Sequence, residues 1–129
     1  MTLRSPRSTL ALSAGVALVM LAGGAAHLLQ PAAFVPLVPP WLPASPTILL
    51  TGALQLAIGL AAAWPRTRRW AGLAFAALCF GYLPIHLWDY VRPDPIFAPP
   101  VAASVRVAVQ LGFIVAGLAL WRSPRPAAP

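Results

Sequence analysis

Lysine, glutamate and asparagine are absent from the 129 residues, and acid is confined to Asp89 and Asp94. Nine arginines supply the basic charge, so the formal net charge is +7 while charged residues make up only 9% of the chain. A water-soluble bundle needs charged outer faces, with about a quarter of its residues ionised, and this composition cannot provide them. Disorder is excluded too, because 60% of the residues are hydrophobic. The single cysteine, Cys79, rules out an intrachain disulfide, a CxxC redox pair and a cysteine-rich metal site. It reads as a small apolar residue on a buried helix.

What remains is a greasy chain with a mean hydropathy of +0.79. Its basic excess would suggest nucleic acid if the arginines shared one solvated face. Instead they stand at the edges of long apolar runs, and nucleic acid is not an expected partner. No Asp, Glu, Lys or Arg occurs between Arg7 and Arg66, nor between Arg69 and Asp89. A bilayer core about 30 Å thick needs about 20 apolar helical residues, and the stretch from Ser8 to Pro65 has room for two spans. The reading is an all-α integral membrane four-helix bundle, up-down-up-down, in one domain over 1–129. Its helices are expected at about 9–29, 47–64, 70–91 and 101–121. Sixteen prolines punctuate the chain. They crowd the connections 30–46 and 92–100, which are expected to contain no helix interior.

Arginine placement sets the orientation, because positive charge near span ends favours the cytoplasmic side. Arg4, Arg7, Arg66, Arg68, Arg69, Arg122 and Arg125 all fall on one side, which puts both termini in the cytoplasm. Trp41, Trp64, Trp70, Trp88 and Trp121 lie at or beside the expected helix ends, where an indole sits at headgroup level. A rival reading of the first helix is a secretory signal peptide cleaved near Ala26, after the small residues Ala22 to Ala26. The apolar run is long for a signal sequence, so a retained helix is expected.

Polar residues inside the spans carry the functional information, since each costs free energy in hydrocarbon unless paired or facing a cavity. Arg106 lies about five residues, roughly 7–8 Å, inside the outer end of the fourth helix, and Gln110 is one turn deeper on the same face. On the third helix Tyr82, His86 and Asp89 form one stripe, with Pro84 between them. Thr51, Gly52, Gln55 and Gly59 share a face of the second helix, and Met20, Gly23, Gly24, His27 and Gln30 a face of the first. In the expected topology His27, His86, Asp89 and Arg106 occupy the outer half, with Gln55 and Gln110 near the middle and an almost wholly apolar cytoplasmic half.

Each residue also has a plainer role. The glutamines can be interhelical glue, the histidines interfacial anchors, Asp89 a counter-ion of Arg106 or Arg92, and the glycines close-packing sites. Convergence of Arg, His and Gln from four helices at one depth favours a cavity. The candidate ligand-binding residues are His27, Gln55, Tyr82, His86, Asp89, Arg106 and Gln110. No metal site is expected from two histidines and one cysteine.

From Gly24 to Gln110 the chain resembles the DoxX-like four-helix membrane proteins. The resemblance is carried by Gly24-Ala-Ala-His27 with Pro31 and Phe34, by Val38-Pro-Pro-Trp-Leu-Pro43, by Thr51-Gly52 and Gly59, by the turn Pro65-Arg-Thr-Arg-Arg69, and by Arg106 with Gln110. Two positions depart from the family pattern: Gln55 stands where relatives commonly have Glu, and His86 where many have Asn. Gln55 removes a proton acceptor and a negative partner for Arg106, while His86 restores a titratable group nearby.

The resemblance implies a small multi-pass protein of a bacterial inner membrane. A GC-rich bacterial source also fits a chain rich in Ala, Arg and Pro and lacking Lys, Glu and Asn. The family takes its name from a subunit of a thiosulfate:quinone oxidoreductase, so the partners implied are the lipid bilayer and either a membrane oxidoreductase complex or further copies of the chain. Two functional readings stay open. One is a non-catalytic subunit or small-molecule binder whose cavity holds a quinone- or lipid-like headgroup, with Arg106 on a carbonyl or anion, Gln55 and Gln110 orienting it, and His27 or His86 donating. The other is an oxidoreductase subunit in which the same residues move protons during quinone-linked chemistry. A transporter fits less well, because four spans without an inverted repeat make a poor alternating-access device.

Overall fold

The computed structural model describes residues 5–124; Arg4 and Arg125, two of the arginines that set the expected orientation, lie outside the described residues. Within them there is no strand. Four long helices, α1 (Pro6–Leu29), α2 (Ala44–Ala63), α3 (Arg68–Leu87) and α4 (Val101–Trp121), are joined by turns and two short 3-10 helices, Pro31–Leu37 and Trp88–Tyr90. Each long helix, with α3 taken through to Tyr90, is long and apolar enough to cross a bilayer.

The helix ends follow local chemistry. α1 starts at Pro6 rather than Thr9, because the Ser5 hydroxyl accepts from the Ser8 N–H at 3.2 Å and Pro6 occupies the first turn. α2 likewise starts three residues before the expected Thr47. Pro46 falls in its first turn, where a missing N–H removes no helical bond. α3 begins at Arg68 and tightens into the 3-10 turn at Trp88. The connection 30–46 departs from expectation: Pro31–Leu37 is a 3-10 helix with Pro36 inside it. Single i→i+3 bonds, from Ala33 N–H to Gln30 and from Val38 N–H to Val35, close its two ends, so a proline between them disturbs only a short ladder.

α1 packs mainly on α2, and α3 on α4; the two pairs meet chiefly through α2 and α3. Glycines allow the close approaches. A Cβ on Gly24 would stand 2.8 Å from the Gly52 carbonyl, and one on Gly72 2.7 Å from the Gly117 carbonyl. Along the α1–α2 seam, Ser13 contacts Ala62, Leu21 faces Gly59 and Gly24 faces Gly52, so the partners run in opposite chain directions. The α3–α4 seam does the same through Gly72–Gly117, Cys79–Gln110 and Asp89–Arg106.

Val16, Met20, Ile58, Phe75, Cys79 and Leu120 form the core. Large apolar side chains also cover the outside near helix middles: Leu18 is 70% exposed, Leu60 64%, Phe80 67% and Val115 65%. That distribution is compatible with a hydrocarbon surround. Trp41, Trp64 and Trp70 are exposed, while Trp88 and Trp121 are half-buried. At the end where α1 starts and α4 finishes, Thr9, Ser13 and Ser123 are buried, so that half is less uniformly apolar than the sequence suggested. Ser13 and Ser123 donate to backbone carbonyls of Ala62 and Leu120.

Candidate functional site

At the end of the bundle that carries Asp89, the four helices line a partly open cavity of about 240 Å³. α1 contributes Met20 and His27, α2 contributes Thr47, Ile48 and Thr51, α3 contributes Cys79, Tyr82, Ile85 and His86, and α4 contributes Arg106, Gln110 and Phe113. Phe34, Leu37 and Val38, from the first 3-10 helix and its C-cap, complete the wall. The Phe34 ring meets His27 edge-on with centroids 4.0 Å apart. Apolar walls with a few convergent polar groups are the usual make-up of a small-molecule site.

Five of the seven residues singled out from the sequence, His27, Tyr82, His86, Arg106 and Gln110, line this cavity. Gln55 and Asp89 do not; each is buried behind a residue that does. Gln55 Nε2 donates to Tyr82 Oη at 2.9 Å and lies 3.4 Å from His27 Nδ1. Thr51, beside His27 Nδ1 at 3.2 Å, donates its hydroxyl proton to the Thr47 carbonyl at 2.7 Å. Besides accepting from Gln55, Tyr82 Oη stands within reach of the Thr51 hydroxyl.

On the other wall Arg106 Nη1 donates to Asp89 Oδ2 at 2.7 Å. Asp89 Oδ1 accepts from the Ile96 N–H at 3.2 Å and lies 3.9 Å from Arg92 Nη1. Asp89 is therefore the counter-ion mainly of Arg106 and secondarily of Arg92. The Arg106 guanidinium also lies 4.4 Å from the centre of the Phe97 ring, and Arg92 4.1 Å from that of Trp88. Together the carboxylate and ring fix Arg106 while its remaining N–H groups stay in hand. His86 Nδ1 donates to the Tyr82 carbonyl at 2.8 Å, so in the neutral ring Nε2 is the acceptor. Gln110 Nε2 donates to the Cys79 carbonyl, leaving Oε1 as a second acceptor.

The cavity thus offers polar groups of His27, Tyr82, His86, Arg106 and Gln110 set in an apolar shell. Arg106 enters this group already paired to Asp89. Among the described residues no group of three or more His, Cys, Asp or Glu side chains gathers to hold a metal ion.

Sequence reasoning missed the apolar cover from the first 3-10 helix. Its signal was the spacing of Phe34 and Leu37, three residues apart, which is the period of a 3-10 turn. Thr51 was placed on the correct helix face but not among the candidate residues.

A family model described as Domain of unknown function (DUF8561) matches residues 16–121. No curated protein and no solved structure matches the chain.

Proposed function

We propose that this chain, which belongs to the DUF8561 family, is a multi-pass protein of a bacterial inner membrane that binds a small polar headgroup within its bundle. Its four long helices cross the bilayer up-down-up-down with both termini in the cytoplasm, and the cavity lies in the outer half. Support for insertion comes from helix length and from the exposed apolar side chains. Support for the orientation comes from Arg7, Arg66, Arg68, Arg69 and Arg122 at the other end.

One observation carries the binding reading: polar side chains from all four helices, His27, Thr51, Tyr82, His86, Arg106 and Gln110, converge on one cavity with apolar walls. At about 240 Å³ it is smaller than the roughly 300–1,000 Å³ of pockets that engulf drug-sized ligands. It has the space of about eight waters at about 30 Å³ each, enough for one substituted ring or a compact headgroup while a tail stays in the lipid. A quinone headgroup fits these residues: Arg106 and Tyr82 donate to ring carbonyls, Phe34 and Phe113 contact the ring faces or edges, and Gln55 and Asp89 hold the donors in place. The fit agrees with the DoxX-like resemblance.

The chain acts on this reading as a non-catalytic subunit or binder, in a membrane complex or as an oligomer. Bound quinone would supply two-electron redox chemistry, and the second reading, an oxidoreductase subunit, gives His86 the task of holding a proton at Nε2 beside the ring. A transporter is the least supported use. Mass spectrometry of the protein extracted in mild detergent tests the proposal. A quinone or another small-headgroup lipid should co-purify with wild type and be lost from Arg106→Ala. Equal retention by both, or no retained small molecule in either, would overturn it.

A further inference from the structure

The end of the bundle remote from the cavity concentrates positive charge that no packing contact neutralises. The turn from α2 to α3 reads Trp64-Pro-Arg-Thr-Arg-Arg-Trp70. Arg69 Nε donates to the Trp121 carbonyl at 2.9 Å, which holds the start of α3 against the end of α4 and sets Arg122 beside the turn. No acid of the described residues is near. Asp89 pairs with Arg106 and Arg92 at the far end, and Asp94 lies in the same far connection.

Three further observations bear on what these arginines meet. No group of the described residues accepts from Arg68 Nε, so the chain itself does not tie up that guanidinium. α3 begins here with neither a side-chain cap nor an acid in its first turn, so the partial positive charge of the helix start adds to the side chains. Trp64 and Trp70 bracket the arginines at 63% and 66% exposure, with Leu60 one turn away at 64%.

We propose that this turn binds the phosphate of an anionic phospholipid headgroup. Arg66, Arg68 and Arg122 supply charge-assisted donors to the phosphate oxygens, and the start of α3 reinforces them. Trp64, Trp70 and Leu60 receive the glycerol and upper acyl chain, which is what selects a lipid over free phosphate. Arg69 acts by tying the turn to α4. This inference rests on the membrane-spanning reading above but not on the cavity.

Native mass spectrometry of the full chain in nanodiscs tests it, using phosphatidylcholine mixed with an equal amount of phosphatidylglycerol. Incorporation into pure phosphatidylcholine nanodiscs checks the membrane reading separately; failure there sinks that reading. Incorporated wild type should release with phosphatidylglycerol enriched over phosphatidylcholine by more than ten-fold. Arg66→Gln, an exposed position whose loss should leave the fold intact, should cut the enrichment about five-fold, and Arg66→Gln with Arg122→Gln more steeply. Arg92→Gln removes the same charge from the other end and should leave the phosphatidylglycerol enrichment unchanged. No enrichment, equal loss with Arg92→Gln, or full displacement by millimolar inorganic phosphate would overturn the proposal.

Discussion

Replacing Asp89 by alanine should destabilise this protein more than any other single substitution in the cavity wall or behind it. Asp89 is 2% exposed and Arg106 16% exposed, and their ionised groups meet at 2.7 Å. At that contact the charge centres are about 4 Å apart, and an effective dielectric near 20 makes their attraction about 4 kcal/mol. Removing one partner of such a pair typically costs about 3–5 kcal/mol, because the other charge is left without compensation. Contact with Phe97, worth about 0.5–2 kcal/mol, cannot replace the carboxylate. Arg92, 3.9 Å from the same carboxylate, loses its anion as well, so two cations would be left facing one another. For a chain of this length about 4 °C accompanies each kcal/mol, so the midpoint of thermal unfolding in detergent should fall by roughly 12–20 °C. Asp89→Asn keeps an acceptor for the Ile96 N–H and separates loop anchoring from charge; it should lose most of the same stability. Combining Asp89→Ala with Arg106→Ala should cost clearly less than the sum of the two. A midpoint shift under about 3 °C for Asp89→Ala, or simple additivity in the double variant, would refute the ion-pair reasoning.

Gly72→Ala and Gly117→Ala, which place a methyl 2.7 and 2.6 Å from the facing glycine carbonyl, should each lower stability by about 1–3 kcal/mol by wedging α3 from α4. Gly112→Ala has nothing within 4 Å and should be neutral or slightly stabilising; comparing the unfolding midpoints checks both. Gln55→Leu should cost about 1–3 kcal/mol, since Tyr82 and His27 lose their shared partner, and should weaken ligand retention although Gln55 is not in the wall. Phe34→Ala removes the ring against His27 and part of the cavity cover, so it should speed ligand release with little effect on the midpoint, read by dilution-release kinetics.

The four helices were legible because long charge-free apolar runs leave few alternatives, and α4 starts and stops where its run does, at Val101 and Trp121. Errors gathered at prolines. Pro46 falls in the expected connection 30–46, but a proline in a first turn gives up a donor that has no helical partner, as Pro6 also does at the start of α1. Pro31 and Pro36 read as breakers of any helix, whereas a short 3-10 turn accommodates them and carries Phe34 and Leu37 to the cavity. Helical spacing placed His27, Tyr82, His86, Arg106 and Gln110 on inward faces. It could not separate a wall residue from the one supporting it. Asp89 continues the stripe of Tyr82 and His86, yet the tighter turn after Leu87 carries it behind Arg106. Gln55 sits on the same face as Thr51, but Tyr82 and His27 draw its amide away from the open space.

The most direct measurement is equilibrium binding of a short-chain quinone to the purified protein in detergent, read by titration calorimetry. Wild type should bind saturably at one site per chain, and Arg106→Ala, which removes a charged hydrogen-bond donor from the wall, should weaken binding by about ten-fold or more. No saturable binding to wild type, or equal affinity in Arg106→Ala, would contradict a ligand-binding cavity bounded by Arg106.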